Sequence, residues 1–217
     1  MVSCDDAGMI YTIGHSNHPI ERFLGLLMAH KITALADVRS SPYSRRNPQF
    51  NLEPLRKSLA LHEIRYVFLG EELGARSRDP SCYEDGRVSY ARLAASNSFQ
   101  EGLERLETGM IEHNIAMMCA EKDPLECHRT ILVSRHLAAH NIEVAHILAS
   151  GQVESHAQAL ARLARQLHVP ETDMFRTRQQ LLDEAYDTQG RRIAYIETDT
   201  STTEVLAVNF YTIKDSR

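Results

Sequence analysis

The chain alternates short, largely apolar runs with longer segments whose apolar residues recur at helical spacing. Residues 9–13, 32–38, 115–119 and 144–148 are runs of the first kind. Their length and the turn formers around them predict strands covered on both faces. Residues 66–69 form a further short strand ending at Gly70. Between them, Pro19 opens a predicted helix through about His30, with Ile20, Phe23, Leu24 and Leu27 on one side. Residues 55–61, 99–113, 155–168 and 175–187 predict four more helices, the last two separated by Val169-Pro170. Asp123 as a cap, Pro124 after it and Glu126 three residues on predict a helix to about His140. That helix would carry Cys127, His128 and Arg129 at its N-terminal end. Residues 192–196 predict another strand, and residues 205–213 are β-like with no assigned partner. Residues 40–53 and 70–90 are rich in proline and other turn formers and predict loops; the second has the length of a lid or binding loop.

Strands alternating with helices over the first 150 residues predict a doubly wound α/β fold. The sheet should be mainly parallel, with helices on both faces and a helical C-terminal extension. One domain over residues 9–197 is expected, after a disordered tail at 1–8 and before a C-terminal extension at 198–217.

Composition narrows the function classes. No apolar run approaches the 18 or so residues that a spanning helix needs, so no membrane association is expected. The opening MVSCDDAGMIYTIGHS is acidic and has no signal-peptide core, which predicts a cytoplasmic protein. Cys4, Cys82, Cys119 and Cys127 are too few and scattered for a disulfide framework, so free thiols are expected. Cys4 and Cys82 read as incidental, whereas Cys119 and Cys127 flank a core strand. A net charge of −5 argues against a general nucleic-acid coat. Between Asp37 and Lys57, however, five basic residues face two acidic ones, leaving room for a local anion site.

In a parallel sheet, ligands bind outside the carboxyl ends of the strands. Three predicted strands end in residues that can do chemistry: Gly14-His15-Ser16, Asp37-Val38-Arg39 and Cys119-Ala120-Glu121. The following helix adds Cys127-His128-Arg129. The catalytic candidates are His15, Asp37, Cys127 and His128; the substrate-binding candidates are Ser16, Arg39, Arg45, Glu121 and Arg129. A thiolate at Cys127 would gain from a helix N-terminus and from neighbouring positive charge, although a buried cysteine can also simply pack. His15 could move a proton or hold a substrate oxygen. Asp37 and Arg39 could bind substrate or form only an ion pair. The Cys-x7-Cys-His spacing is not a standard zinc pattern, so no metal ligands are assigned. GxxxxGK[ST], GxGxxG and GxSxG are all absent, which disfavours P-loop, dinucleotide and serine-hydrolase chemistry. No cofactor is assigned, and the oligomeric state is open.

These segments together resemble a known family. Thr12-Ile13-Gly14-His15-Ser16, Asp37-Val38-Arg39, the stretch from Leu69 to Gly74 (LGEELG) and Cys127-His128-Arg129 are similar, in this order, to the domain of unknown function 488 family. Ala185-Tyr186 and Ile193-Ala194-Tyr195 resemble its C-terminal part, so the likeness spans roughly residues 9–197. It implies signature residues at His15, Ser16, Asp37, Arg39, Cys127, His128 and Arg129, and no established reaction. Glu71-Glu72 stand where glycine and arginine are frequent in the family.

The leading expectation is an enzyme, a hydrolase or transferase, acting on a phosphate-bearing nucleotide or nucleic acid. Rhodanese-like sulfur transfer through Cys119 is one alternative, since Asp37-Val38-Arg39 and Cys119 before an arginine-bearing helix are similar to the layout of those sulfurtransferases. The connection from Cys119 to Arg129 carries a proline and two acids, longer and more acidic than the usual anion cradle. A non-catalytic ligand-binding or metal-binding domain is the other alternative.

Overall fold

A computed structural model describes residues 8–197. The expected tail, Gly8 apart, and the whole extension at 198–217 lie outside the described residues. The strands are β1 (Met9–Gly14), β2 (Ala34–Asp37), β3 (Arg65–Phe68), β4 (Tyr83–Glu84), β5 (Arg87–Val88), β6 (Ile115–Cys119), β7 (Glu143–Ile147) and β8 (Val153–Ser155). The helices are α1 (Ile20–Ala29), α2 (Leu52–Ala60), α3 (Tyr90–Ala94), α4 (Asn97–Gly109), α5 (Arg135–Ala139), α6 (His156–Gln166) and α7 (Arg178–Ile193).

Six strands form the main sheet in the order β3-β2-β6-β1-β7-β8. All neighbours are parallel except β8, which runs against β7. The central strands alternate strictly between two cores. Ile115, Met117 and Cys119 of β6 join α4 through Phe99 and Leu103, and α5 with the turn before it through Leu137 and Leu132. Ala116 and Met118 face the opposite way, onto Phe23 and Leu27 of α1 and Leu55 and Leu59 of α2. Covering both faces is why these strands are apolar at most positions on either side. A third cluster packs Leu163 of α6 and Ala185 of α7 against Leu125 and Ile131. The α/β architecture, with its mostly parallel sheet and C-terminal helix, is as the sequence predicts.

Several local expectations are corrected. Asp123 does cap Leu125 N–H at 2.9 Å, but the turn it starts is a single 3-10 turn, Pro124–Glu126. Cys127 is extended (φ −141°, ψ 140°), and the helix begins after His128 with a π-helical turn, Arg129–Ser134, before α5. Cys127 therefore precedes the helix rather than sitting in its first turn. Residues 192–193 belong to α7, not to a strand; of the stretch 192–196 only Ile196 bridges, to Arg87. The 70–90 loop contains the β4–β5 hairpin, and Cys82 beside it is buried in the core.

Candidate active site at the strand ends

The register aligns Gly14 of β1 with Cys119 of β6, and Asp37 of β2 with Met118, so their carboxyl ends finish at one edge. Pairing continues past β1: His15 N–H donates to the Cys119 carbonyl and Ser16 N–H to that of Ala120, both at 2.9 Å. Gly14 permits this approach, because a Cβ there would meet the Glu121 carbonyl oxygen at 1.9 Å. Gly70 allows a second one, against the Arg39 carbonyl, also at 1.9 Å.

The edge opens into a cavity of about 930 Å³. Its buried floor is formed by His15, Arg39, Cys119, Cys127 and His128. Its exposed rim carries Arg46, Arg76 and Lys122 beside Glu121 and Glu126, with Tyr43, Tyr90 and Tyr195 among the walls.

Arg39 is held in place by the interior. Its Nε and Nη2 donate to the two Asp37 carboxylate oxygens at 2.8 and 2.6 Å, and Nη2 also donates to the Phe50 carbonyl at 2.8 Å. Nη1 donates to His15 Nε2 at 3.3 Å. Guanidinium has five N–H groups. Four are taken among the described residues, leaving one on Nη1 for a ligand in the cavity. Asp37 itself is fully buried, and Tyr66 O–H donates to its second oxygen at 2.8 Å. It is absent from the cavity wall. Asp37, expected among the catalytic residues, is thus placed behind Arg39 in an ion pair rather than at the cavity.

His15 stacks on Phe50 with ring centroids 4.4 Å apart. Its Nδ1 donates to the Ser16 carbonyl at 2.8 Å, so Nε2 carries the lone pair, and Arg39 occupies it. Burial pushes the imidazole down to about 4, against the Ser16 carbonyl, and the Arg39 charge adds to the depression. It is a neutral acceptor that locks Arg39. Ser16 adopts a left-handed turn (φ +48°) at the cavity wall.

The other floor group is a cluster of two thiols and an imidazole. His128 Nδ1 lies 3.7 Å from Cys119 Sγ and 3.8 Å from Cys127 Sγ. Its Nε2 donates to the Val38 carbonyl at 3.0 Å. Cys127 Sγ is 3.0 Å from a Glu121 carboxylate oxygen. Burial opposes ionisation of Cys127, but its contact with Cys119 and the charges of Arg129 and His128 outweigh it and hold this thiol low. Its contact with Cys127, together with burial, pushes Cys119 the other way, well up. Desolvation and the neighbouring Cys127 raise the Glu121 carboxyl.

Two expected binding residues fall elsewhere. Arg129 is 1% exposed and not in the wall; its Nη1 donates to the Glu121 carbonyl at 2.9 Å, and its Nε is without a partner among the described residues. Arg45 is exposed and outside the wall, and its neighbour Arg46 takes the place expected for it. Arg76, Lys122 and Tyr90 had no motif to mark them. Arg76 lies in the turn-rich 70–90 segment, its guanidinium 4.5 Å from the centre of the Tyr195 ring, and Tyr195 belongs to the C-terminal segment of the resemblance. Cys119 Sγ faces His128 and Cys127, and no backbone N–H donates to it among the described residues, unlike a persulfide cradle.

Fold and site define an α/β protein with a strand-end cavity that is cationic at its rim and carries thiols and imidazole on its floor. Within that class the chain belongs to the family described as Domain of unknown function DUF488, whose model matches residues 19–136, more than half of the chain. The match takes in Asp37-Val38-Arg39, the LGEELG stretch and Cys127-His128-Arg129; the Thr12–Ser16 segment and the C-terminal motifs lie outside it. No curated protein and no solved structure matches the chain.

Proposed function

We propose that the protein is an enzyme, a hydrolase or transferase, acting on a phosphate-bearing substrate such as a nucleotide or a nucleic-acid end. The observation that carries this reading is the placement of Arg39, Arg46, Arg76 and Lys122 around one cavity of a chain whose net charge is −5. Cations concentrated in a cleft focus the field on an anionic ligand. A volume of about 930 Å³ suits a ligand of nucleotide size, and the tyrosines offer faces for a base. The reacting groups would be Cys127 and His128 on the floor, with Glu121 at the rim beside them. Arg39 would bind a phosphate oxygen through its remaining N–H, with Asp37 and His15 fixing its aim.

Among the described residues no helix is long and apolar enough to cross a membrane. Cytoplasmic placement is part of the proposal and is supported by a site built on free thiols.

The test is a panel of nucleotides and short oligonucleotides, assayed for binding and turnover at low and high salt. Binding that weakens with salt, and that Arg46→Ala with Arg76→Ala weakens further, is the expected result. If no phosphate compound binds, or the double variant binds as tightly as the parent protein, the reading fails.

A further inference from the structure

The floor cluster has the metrics of a metal site, although its spacing in the chain does not advertise one. Cys119 Sγ, Cys127 Sγ and His128 Nδ1 all lie within 4.8 Å of one another. Zinc bonds of about 2.3 Å to sulfur and 2.0–2.1 Å to nitrogen place tetrahedral S and N ligands roughly 3.5 Å apart. The two S···N separations here are 3.7 and 3.8 Å, which a shift of a few tenths of an ångström would close.

The imidazole is already oriented as a ligand. Its Nε2 faces the Val38 carbonyl at 3.0 Å, and since a carbonyl only accepts, Nε2 carries the hydrogen. In the neutral imidazole, the form that binds a metal, Nδ1 then presents its lone pair to both sulfurs. A ligating histidine held through its other nitrogen by a backbone carbonyl is the usual outer shell of a metal centre. Two soft sulfurs and an imidazole select zinc over magnesium or calcium.

Three elements build this cluster. Cys119 ends β6, Cys127 is extended between a 3-10 turn and the π-helical turn, and Val38 follows β2. Had residues 123–140 formed the continuous helix that the capping pattern predicts, Cys127 could not have taken this extended conformation. All three candidate ligands line the cavity, and the Glu121 carboxylate lies 3.0 Å from Cys127 Sγ.

We propose that Cys119, Cys127 and His128 bind one zinc ion, leaving a fourth position open to the cavity beside Glu121. Sites with three protein ligands and an open position are the catalytic kind. Binding releases the thiol protons to solvent as the Zn–S bonds form. The inference deepens the reading of this cavity as the working site: the open position would take a water or a substrate oxygen, with Glu121 placed to accept a proton from it.

The experiment uses the full chain, purified under reductant without chelator and then titrated with Zn²⁺ alone and, separately, with Co²⁺. The expected result is one equivalent of zinc, and a cobalt spectrum with tetrahedral ligand-field bands and a sulfur-to-cobalt charge-transfer band. Alkylation with peptide mapping should show Cys119 and Cys127 protected by zinc, with Cys4 unaffected. Cys127→Ser should lower zinc affinity by more than about 100-fold, beyond the 10- to 100-fold typical of outer-shell changes. Glu121→Gln should retain the metal. Substoichiometric zinc, a cobalt spectrum without the charge-transfer band, a Cys119–Cys127 disulfide in the reduced preparation, or equal alkylation with and without zinc would each overturn the proposal. Should the serine variant fail to fold, the cobalt spectrum and alkylation map of the parent chain still decide. Zinc bound without turnover of any phosphate compound would sink the functional reading and keep this one; turnover of a phosphate compound by protein that takes up no zinc would do the reverse.

Discussion

Two groups of buried polar side chains in this molecule both depend on histidine, and they differ in whether they are finished. At the strand edge, His128 and His15 face a cavity, beside an Arg39 that keeps one N–H unspent and an Arg129 whose Nε has no partner among the described residues. Behind β7, Thr12, His146, His156 and Tyr186 form a closed chain. Thr12 Oγ1 lies 2.8 Å from His146 Nδ1, His146 Nε2 lies 3.1 Å from His156 Nδ1, and His156 Nε2 lies 2.7 Å from the Tyr186 hydroxyl. Every imidazole nitrogen in that chain is paired. It ties β1, β7, α6 and α7 together without opening on the cavity described above. A fully satisfied buried network supports the fold, whereas a partly satisfied one beside a cavity is left for a ligand.

The largest test of this contrast is Cys127→Ser. It should reduce turnover of a phosphate-bearing substrate by about 100-fold or more, yet change the unfolding free energy of the zinc-free protein by less than about 2 kcal/mol. Kinetics and denaturant melts on the same preparation measure both. A loss of stability as large as the loss of rate would make the cluster part of the core instead.

Asp37→Asn should act through stability as well as activity. It leaves Arg39 buried without its carboxylate, which costs on the order of 3–5 kcal/mol. A urea midpoint that does not move would mean that Arg39 finds another partner.

The closed chain should behave oppositely to Cys127. His156→Phe strands the Tyr186 hydroxyl and a His146 nitrogen, costing about 1–3 kcal/mol in a denaturant melt while leaving any kcat and KM measured on the folded protein unchanged. A fall in kcat would break the division between the two regions.

Acid should expose the same chain. Burial pushes His156 down to about 4 and holds His146 well below its ordinary range. In the unfolded chain both titrate near 6.5, so between about pH 6.5 and 4 the unfolded state binds more protons. Stability is therefore complete above about pH 6.5 and declines as pH falls toward 4, by up to roughly 3 kcal/mol for His156 alone. Burial of His15, likewise pushed down to about 4, adds to this limb. His156→Phe should remove about one proton from the acid slope of the unfolding constant; an unchanged slope would assign it to other groups.

Arg46→Ala is the smallest effect expected: a several-fold rise in KM that shrinks at high salt, with stability within about 0.5 kcal/mol of the parent.

How much of this was legible in the chain follows from how local each determinant is. The strands at 9–13, 115–119 and 144–148 were readable because a sheet covered on both faces is apolar at most positions on either side, Thr12 and His146 being the polar exceptions. The helix after Ser155 starts on a local determinant, a cap within four residues: Ser155 accepts from Gln158 N–H at 3.2 Å, and the Gln158 side chain accepts from Ser155 N–H at 2.9 Å. β8 (Val153–Ser155) was not, since three residues with polar members carry no period-2 signal and take their strand form from pairing with β7. The predicted strand at 192–196 failed for a related reason: its apolar residues close α7 or pack beside the hairpin, contacts that no local pattern encodes.

The site divides along the same line. The sequence by itself determined the parallel α/β fold and the rule that its chemistry would gather at the carboxyl ends of β1, β2 and β6. It thereby determined the meeting of His15, Arg39, Cys119, Cys127 and His128. Only the tertiary structure decided that Asp37 is spent on Arg39, that Arg129 and Arg45 stand outside the cavity while Arg46 and Arg76 border it, and that Cys127 turns out of the helix toward Cys119. Hydrophobic periodicity places backbone elements, because burial is summed along a whole face. The direction of one side chain is set by the few atoms it meets, and those atoms come from parts of the chain that only folding brings together.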